Sequence, residues 1–167
     1  KLYFTGYFNT VKTNGTKMNV SAIRGVRHAG GYQYFLVKAG MSFYTFRVAE
    51  GAKGGSKSSP TKVTAYKMFT IDTRNALFAS SNSAYGTIDN LETWINQGFG
   101  YTSNQKAIYV PVFNGKDDNA ILVYDVAKYV TAAKLDANKN CGSNEILYPS
   151  TLNFRIKKSS KLFEIES

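Results

Sequence analysis

The sequence predicts an α+β domain of mostly antiparallel β-sheet, about eight or nine strands with two amphipathic helices. Three observations carry that expectation. Period-two alternation with β-branched and aromatic residues runs through the first 70 residues, broken at Gly and Asn. Ile88, Leu91 and Ile95 then recur at helical spacing, and two apolar runs separated by turn-forming residues follow them.

The alternation places strands over 2–8, 17–26, 32–38, 42–49 and 62–70. Ala39-Gly40-Met41 makes a hairpin link between the third and fourth, with Gly40 available for positive φ. The Gly- and Ser-rich stretch 50–61 holds Lys53 and Lys57 and nothing that could pack, and is expected to be a flexible basic loop. A helix over 87–97 has Asp89 and Glu92 near its start and Gly98 after its end. Strands over 107–113 and 120–126 flank a turn-rich loop at 114–119. Asp125 is then placed to cap a second helix over 126–137, striped by Val126, Tyr129, Val130 and Ala133. Strands over 152–157 and 161–165 form a last hairpin.

A chain of 167 residues with 43% hydrophobic content can bury one sizeable core, and no composition shift marks a linker, so one domain over 1–167 is expected. The longest apolar runs, such as Ile121-Leu122-Val123-Tyr124, are far short of the roughly 18 residues of a membrane span, so no membrane partner is expected. The single cysteine, Cys141, excludes an internal disulfide.

Charge is the strongest functional signal. The net charge of +10 is regional: residues 1–74 hold twelve Lys and Arg against only Glu50 and Asp72. Such a lopsided distribution steers a protein toward a polyanion or an acidic neighbour. The basic residues singled out are Arg24, Arg27, Lys38, Arg47, Lys53, Lys57, Lys62 and Lys67. Phe43, Thr45 and Arg47 share one face of their strand, so Phe43 with Arg47 could form a platform where a base stacks while the cation meets phosphate. Tyr44, Phe46 and Val48 on the other face read as core. The blander reading is a sheet whose aromatics are simply buried.

Catalytic equipment is sparse. One His and one Cys cannot supply a His/Cys metal site, and neither a metal nor any other cofactor is implied. His28 sits in the basic, turn-like stretch 24–31, where it could transfer a proton in a small ribonuclease or be an ordinary exposed turn residue. Asp117-Asp118 lacks the spacing of a calcium loop. The leading expectation is therefore a non-catalytic nucleic-acid-binding module using a basic, aromatic-containing sheet face and the basic loop. The alternatives are a structural subunit of a large assembly, such as a virion shell or filament, whose basic face meets acidic protein or packaged genome, and a ribonuclease using His28. A homo-oligomer is compatible with either of the first two.

Overall fold

The computed structural model describes residues 1–74, 76, 95–96, 98–102, 104, 106–113, 118–142, 144–150 and 153–157. Among these, two five-stranded sheets and a two-stranded ribbon make up the fold. In chain order the strands are β1 (Phe8–Val11), β2 (Ala22–Ala29), β3 (Tyr32–Ala39), β4 (Ser42–Ala49), β5 (Thr61–Thr64), β6 (Tyr66–Ile71), β7 (Ile95–Asn96), β8 (Gly100–Tyr101), β9 (Ala107–Phe113) and β10 (Asp118–Asp125). The helix α1 (Ala132–Ala137), β11 (Ile146–Leu147) and β12 (Phe154–Lys157) complete them.

The first sheet has the order β11-β6-β4-β3-β2, and in the second β12-β10-β9-β7 lie side by side with β8 also on β9. Both are antiparallel apart from β11, which runs parallel to β6. One apolar core joins the sheets: Tyr34, Leu36, Phe43 and Met68 from the first meet Ile108, Val110, Leu122 and Tyr124 from the second. Alternation along each strand explains this, since every second residue of Tyr34–Leu36 and of Ile108–Val110–Val112 points the same way. The Tyr124 hydroxyl, held protonated by burial, donates to the Asp72 carbonyl at 2.8 Å and ties the layers with a polar contact.

The opposite face of the first sheet carries a second apolar cluster of Met18, Val37, Tyr44, Phe46 and Ala65. The ribbon lies against it, with β1 and β5 paired in parallel. Phe35 and Phe46, opposite each other on β3 and β4, stack here with ring centres 5.0 Å apart.

The α+β expectation with two amphipathic helices is corrected: the chain is mostly β, and among the described residues it has one short helix. Of the helix placed over 87–97, residues 87–94 and 97 lie outside the described residues, while Ile95 and Asn96 form β7 against β9. The helix over 126–137 fails at its first half. Asp125 ends β10 and accepts from the Ala127 amide at 3.0 Å, capping a turn in which Val130 N–H bonds to the Val126 carbonyl at 3.0 Å. Thr131 is extended, at φ −106° and ψ 156°, and its hydroxyl accepts from the Lys134 amide, so α1 starts only after it. β-branched Val126, Val130 and Thr131 disfavour a continuous helix through this stretch.

Other boundaries move as well. The stretch 24–31 read as turn-like is mostly strand, since β2 runs to Ala29 and the chain reverses at Gly30-Gly31 with φ of 61° and 77°, where residues with side chains are disfavoured. The strand expected over 62–70 is two strands broken at the buried Ala65. The strand over 107–113 stands where the sequence places it, whereas the one over 161–165 lies outside the described residues.

The loop over 50–61 is fastened by its backbone. Gly54 N–H donates to the Thr5 carbonyl at 2.8 Å, Tyr7 and Gly55 exchange two bonds of 2.9 Å, and Thr61 N–H donates to the Tyr7 carbonyl at 3.0 Å. Glycine is what permits this approach: a Cβ on Gly6 would sit 2.4 Å from the Gly54 carbonyl oxygen, and one on Gly54 would sit 2.5 Å from the Gly6 carbonyl carbon.

Candidate functional site

Arg47 stands near the end of β4, on the face that lies over the main core further along the strand, and the register places it opposite Tyr34 of β3, which in turn lies opposite Arg27 of β2. Its guanidinium lies 4.0 Å from the centre of the Tyr32 ring and donates to the Tyr34 hydroxyl at 3.4 Å. That hydrogen bond is the main reason the guanidinium holds its proton above the usual range. Stacking on Tyr32 fixes one face of the cation and leaves its edge for a partner.

Arg47 lines a cleft of about 360 Å³ together with Tyr32, Lys62, Tyr66 and Asn138. Among the described residues no carboxylate lines it. Ala52 and Thr61, near the two ends of the basic loop, both contribute to its wall, so the loop carrying the exposed Lys53 and Lys57 springs from the cleft's margin. A second depression of about 210 Å³ is lined by Lys12, Asn14, Lys67 and Asn140, again with no carboxylate among the described residues. The two lie beside the same stretch of chain, 64–67, because Asn140 Oδ1 accepts from Lys67 N–H at 2.8 Å and the Cys141 N–H donates to the Lys67 carbonyl at 3.1 Å, docking 138–141 alongside.

The remaining residues singled out by sequence do not line either depression. Arg27 forms a two-pronged bond with Asp136 of α1 at 3.1 and 3.0 Å, which holds the Asp136 carboxyl below the usual carboxylate range. Arg24 is half-buried with its guanidinium 5.8 Å from the centre of the Phe99 ring. Lys38 is 2% exposed, and burial lowers its amine to about 8. Phe43 is 0% exposed, stacked on Phe69 and edge-on to Phe99, so its ring is covered on both sides and offers no base a surface. The alternation on β4 is as expected, but the face carrying Phe43 is the one turned to the main core. Tyr44 and Phe46 belong to the second cluster.

That outer face opens into a groove of about 650 Å³ whose walls include Phe8, Met18, Val20, Ile23, Phe35 and Val48. Segment 1–5 is exposed beside it, with Leu2 at 101%, Tyr3 at 74% and Phe4 at 77% of full exposure.

His28 is exposed on β2 and paired with Glu50 rather than with a phosphate-binding group. Cys141 packs partly against the main core. Among the described residues no three His, Cys, Asp or Glu side chains gather as metal ligands, and no helix is long and apolar enough to cross a membrane. Lys12, Asn138 and Asn140 are lining residues that sequence reasoning passed over. Lys12 stands in a turn with Asn14-Gly15, and its regional excess of charge was the one signal that pointed to it. Comparison of the chain with protein-family models, curated proteins and solved structures finds no match.

Proposed function

We propose that this domain is a non-catalytic module that binds a nucleic acid strand across residues 64–67. One observation carries the reading: two depressions flank that segment, and among the described residues each is lined by two cations, Arg47 with Lys62 and Lys12 with Lys67, and by no acid. A phosphodiester chain crossing the segment meets positive charge on both sides, and the loop bearing Lys53 and Lys57 extends the basic surface outward from the first cleft. Arg47, braced on Tyr32, is the pre-oriented donor for phosphate oxygens. Contact is with the backbone of the strand, and Tyr66 at the cleft wall is the aromatic surface beside it.

Fluorescence anisotropy with labelled oligothymidylate and oligouridylate tests this. Binding should weaken steeply as salt rises from about 50 to 200 mM, because each neutralised phosphate releases condensed counterion. Absence of binding at low salt, or affinity indifferent to salt, would sink the proposal.

A second reading, a subunit of a larger assembly, has its own observation. Leu2, Tyr3 and Phe4 are exposed in a chain that also presents an open apolar groove, and segment 2–4 of a second copy is the occupant that matches it. Such a contact joins unlike surfaces and propagates from copy to copy. Light scattering at rising concentration checks it: growth that Leu2→Ser with Phe4→Ser abolishes favours assembly, and a monomer throughout rules it out.

A further inference from the structure

Lys38 and Asn96 pose a problem that the basic surface does not solve. Lys38 lies on β3 of the first sheet and Asn96 on β7 of the second, and the Lys38 Nζ donates to the Asn96 Oδ1 across the gap between them. The lysine side chain is 2% exposed, beside Phe43 opposite it on β4. Among the described residues no carboxylate pairs with it. A charged ammonium sealed in this way is costly, and burial brings its pKa down to about 8, so that near neutral pH about a tenth of the amine carries a free lone pair. The carbon next to the contacted oxygen is an amide carbonyl carbon, and it occupies the same place whichever way the Asn96 amide is turned.

We propose that Lys38 and Asn96 join in an isopeptide bond that staples one sheet to the other. The neutral Nζ attacks Cγ of Asn96, the Nζ–Cγ bond forms, and the Cγ–Nδ2 bond breaks. The proton lost by Nζ leaves on the departing nitrogen, so ammonia is the sole by-product and no oxidant or other reactant enters. The buried lysine is held against the half-buried Asn96, which supplies proximity and limits the access of water to the same carbon. The product also removes the buried charge. A chain with one cysteine cannot form an internal disulfide, and this bond would provide a covalent tie between β3 and β7 by different chemistry.

Intact mass and peptide mapping of the purified protein decide the matter without requiring any variant to fold. The bond lowers the mass by about 17 Da, that of one ammonia, and a protease digest yields a branched peptide containing both Lys38 and Asn96, resistant to trypsin at Lys38. The Lys38→Arg chain should lack both signatures, even if recovered unfolded. Full mass with Lys38 and Asn96 in separate peptides overturns the proposal. So does a loss of ammonia that maps to Asn14-Gly15 or Asn114-Gly115, where a succinimide forms, with no branch at Lys38. This result is independent of the nucleic-acid reading, which concerns other residues and a different readout.

Discussion

The Arg47 guanidinium rests 4.0 Å from the centre of the Tyr32 ring, two residues that lie on adjacent strands at the margin of the first sheet. The stack places a braced cation at the mouth of a cleft shared with Lys62. Removing the ring should loosen the cation without removing its charge. Tyr32→Ala is therefore expected to weaken oligonucleotide binding while leaving the salt slope nearly unchanged, whereas Arg47→Gln should lower the slope by about 0.7 for a single strand. Anisotropy titrations at several salt concentrations separate the two effects.

Asp136 faces Arg27 and also bears on Arg47. Asp136→Asn frees Arg27 and removes a negative charge near the cleft, so affinity for an oligonucleotide should rise. The same carboxyl has a folded pKa below its ordinary value because of Arg27. Its contribution to stability is present above the ordinary carboxylate pKa and is lost as pH falls through the lower folded value. Acid unfolding followed by circular dichroism should show a smaller pH dependence in Asp136→Asn than in the parent; an identical profile argues against the pair. The effect is modest because both side chains are substantially exposed, at 31% and 46%.

Phe43 offers a check on the division between core and surface. It is 0% exposed between Phe69 and Phe99. Phe43→Ala should cost about 3–5 kcal/mol in denaturant unfolding, through lost burial and the cavity left behind. At temperatures where the variant remains folded, oligonucleotide affinity should stay at the parent level. A selective loss of binding with stability intact would restore Phe43 as a contact residue.

Gly54→Ala should release the loop over 50–61. The added Cβ would lie 2.5 Å from the Gly6 carbonyl carbon, so the hydrogen bonds to Thr5 and Tyr7 must lengthen or break. Brief trypsin treatment is expected to cut the variant at Lys53 or Lys57 faster than the parent. Equal rates would mean that the backbone bonds do not hold the loop.

The sequence made some of this legible and hid the rest for physical reasons. Strand β9 follows from an apolar run bounded by turn formers, and the β3–β4 hairpin from Gly40. Strands β7, β8 and β11 have two residues each, too few to leave a period. The parallel pairing of β1 with β5 and the Arg27–Asp136 contact, 109 residues apart, are tertiary facts that no local pattern encodes. On β4 both faces carry aromatic residues, Phe43 on one and Tyr44 with Phe46 on the other, so alternation sorts the residues into two sets without saying which set meets the second sheet. Arg47, Lys62 and Lys67 were visible as cations; their sharing of depressions with Tyr32 and Lys12 depended on how 138–141 docks beside Lys67.

The most direct test of strand binding across residues 64–67 is the salt slope of oligonucleotide affinity for the parent and for a variant carrying Lys12→Gln, Arg47→Gln, Lys62→Gln and Lys67→Gln. Four lost phosphate contacts should reduce the slope by about 2.8, at about 0.7 per contact on a single strand. A folded quadruple variant that keeps the parent's slope and affinity contradicts the proposal, because the charge that binds would then lie elsewhere.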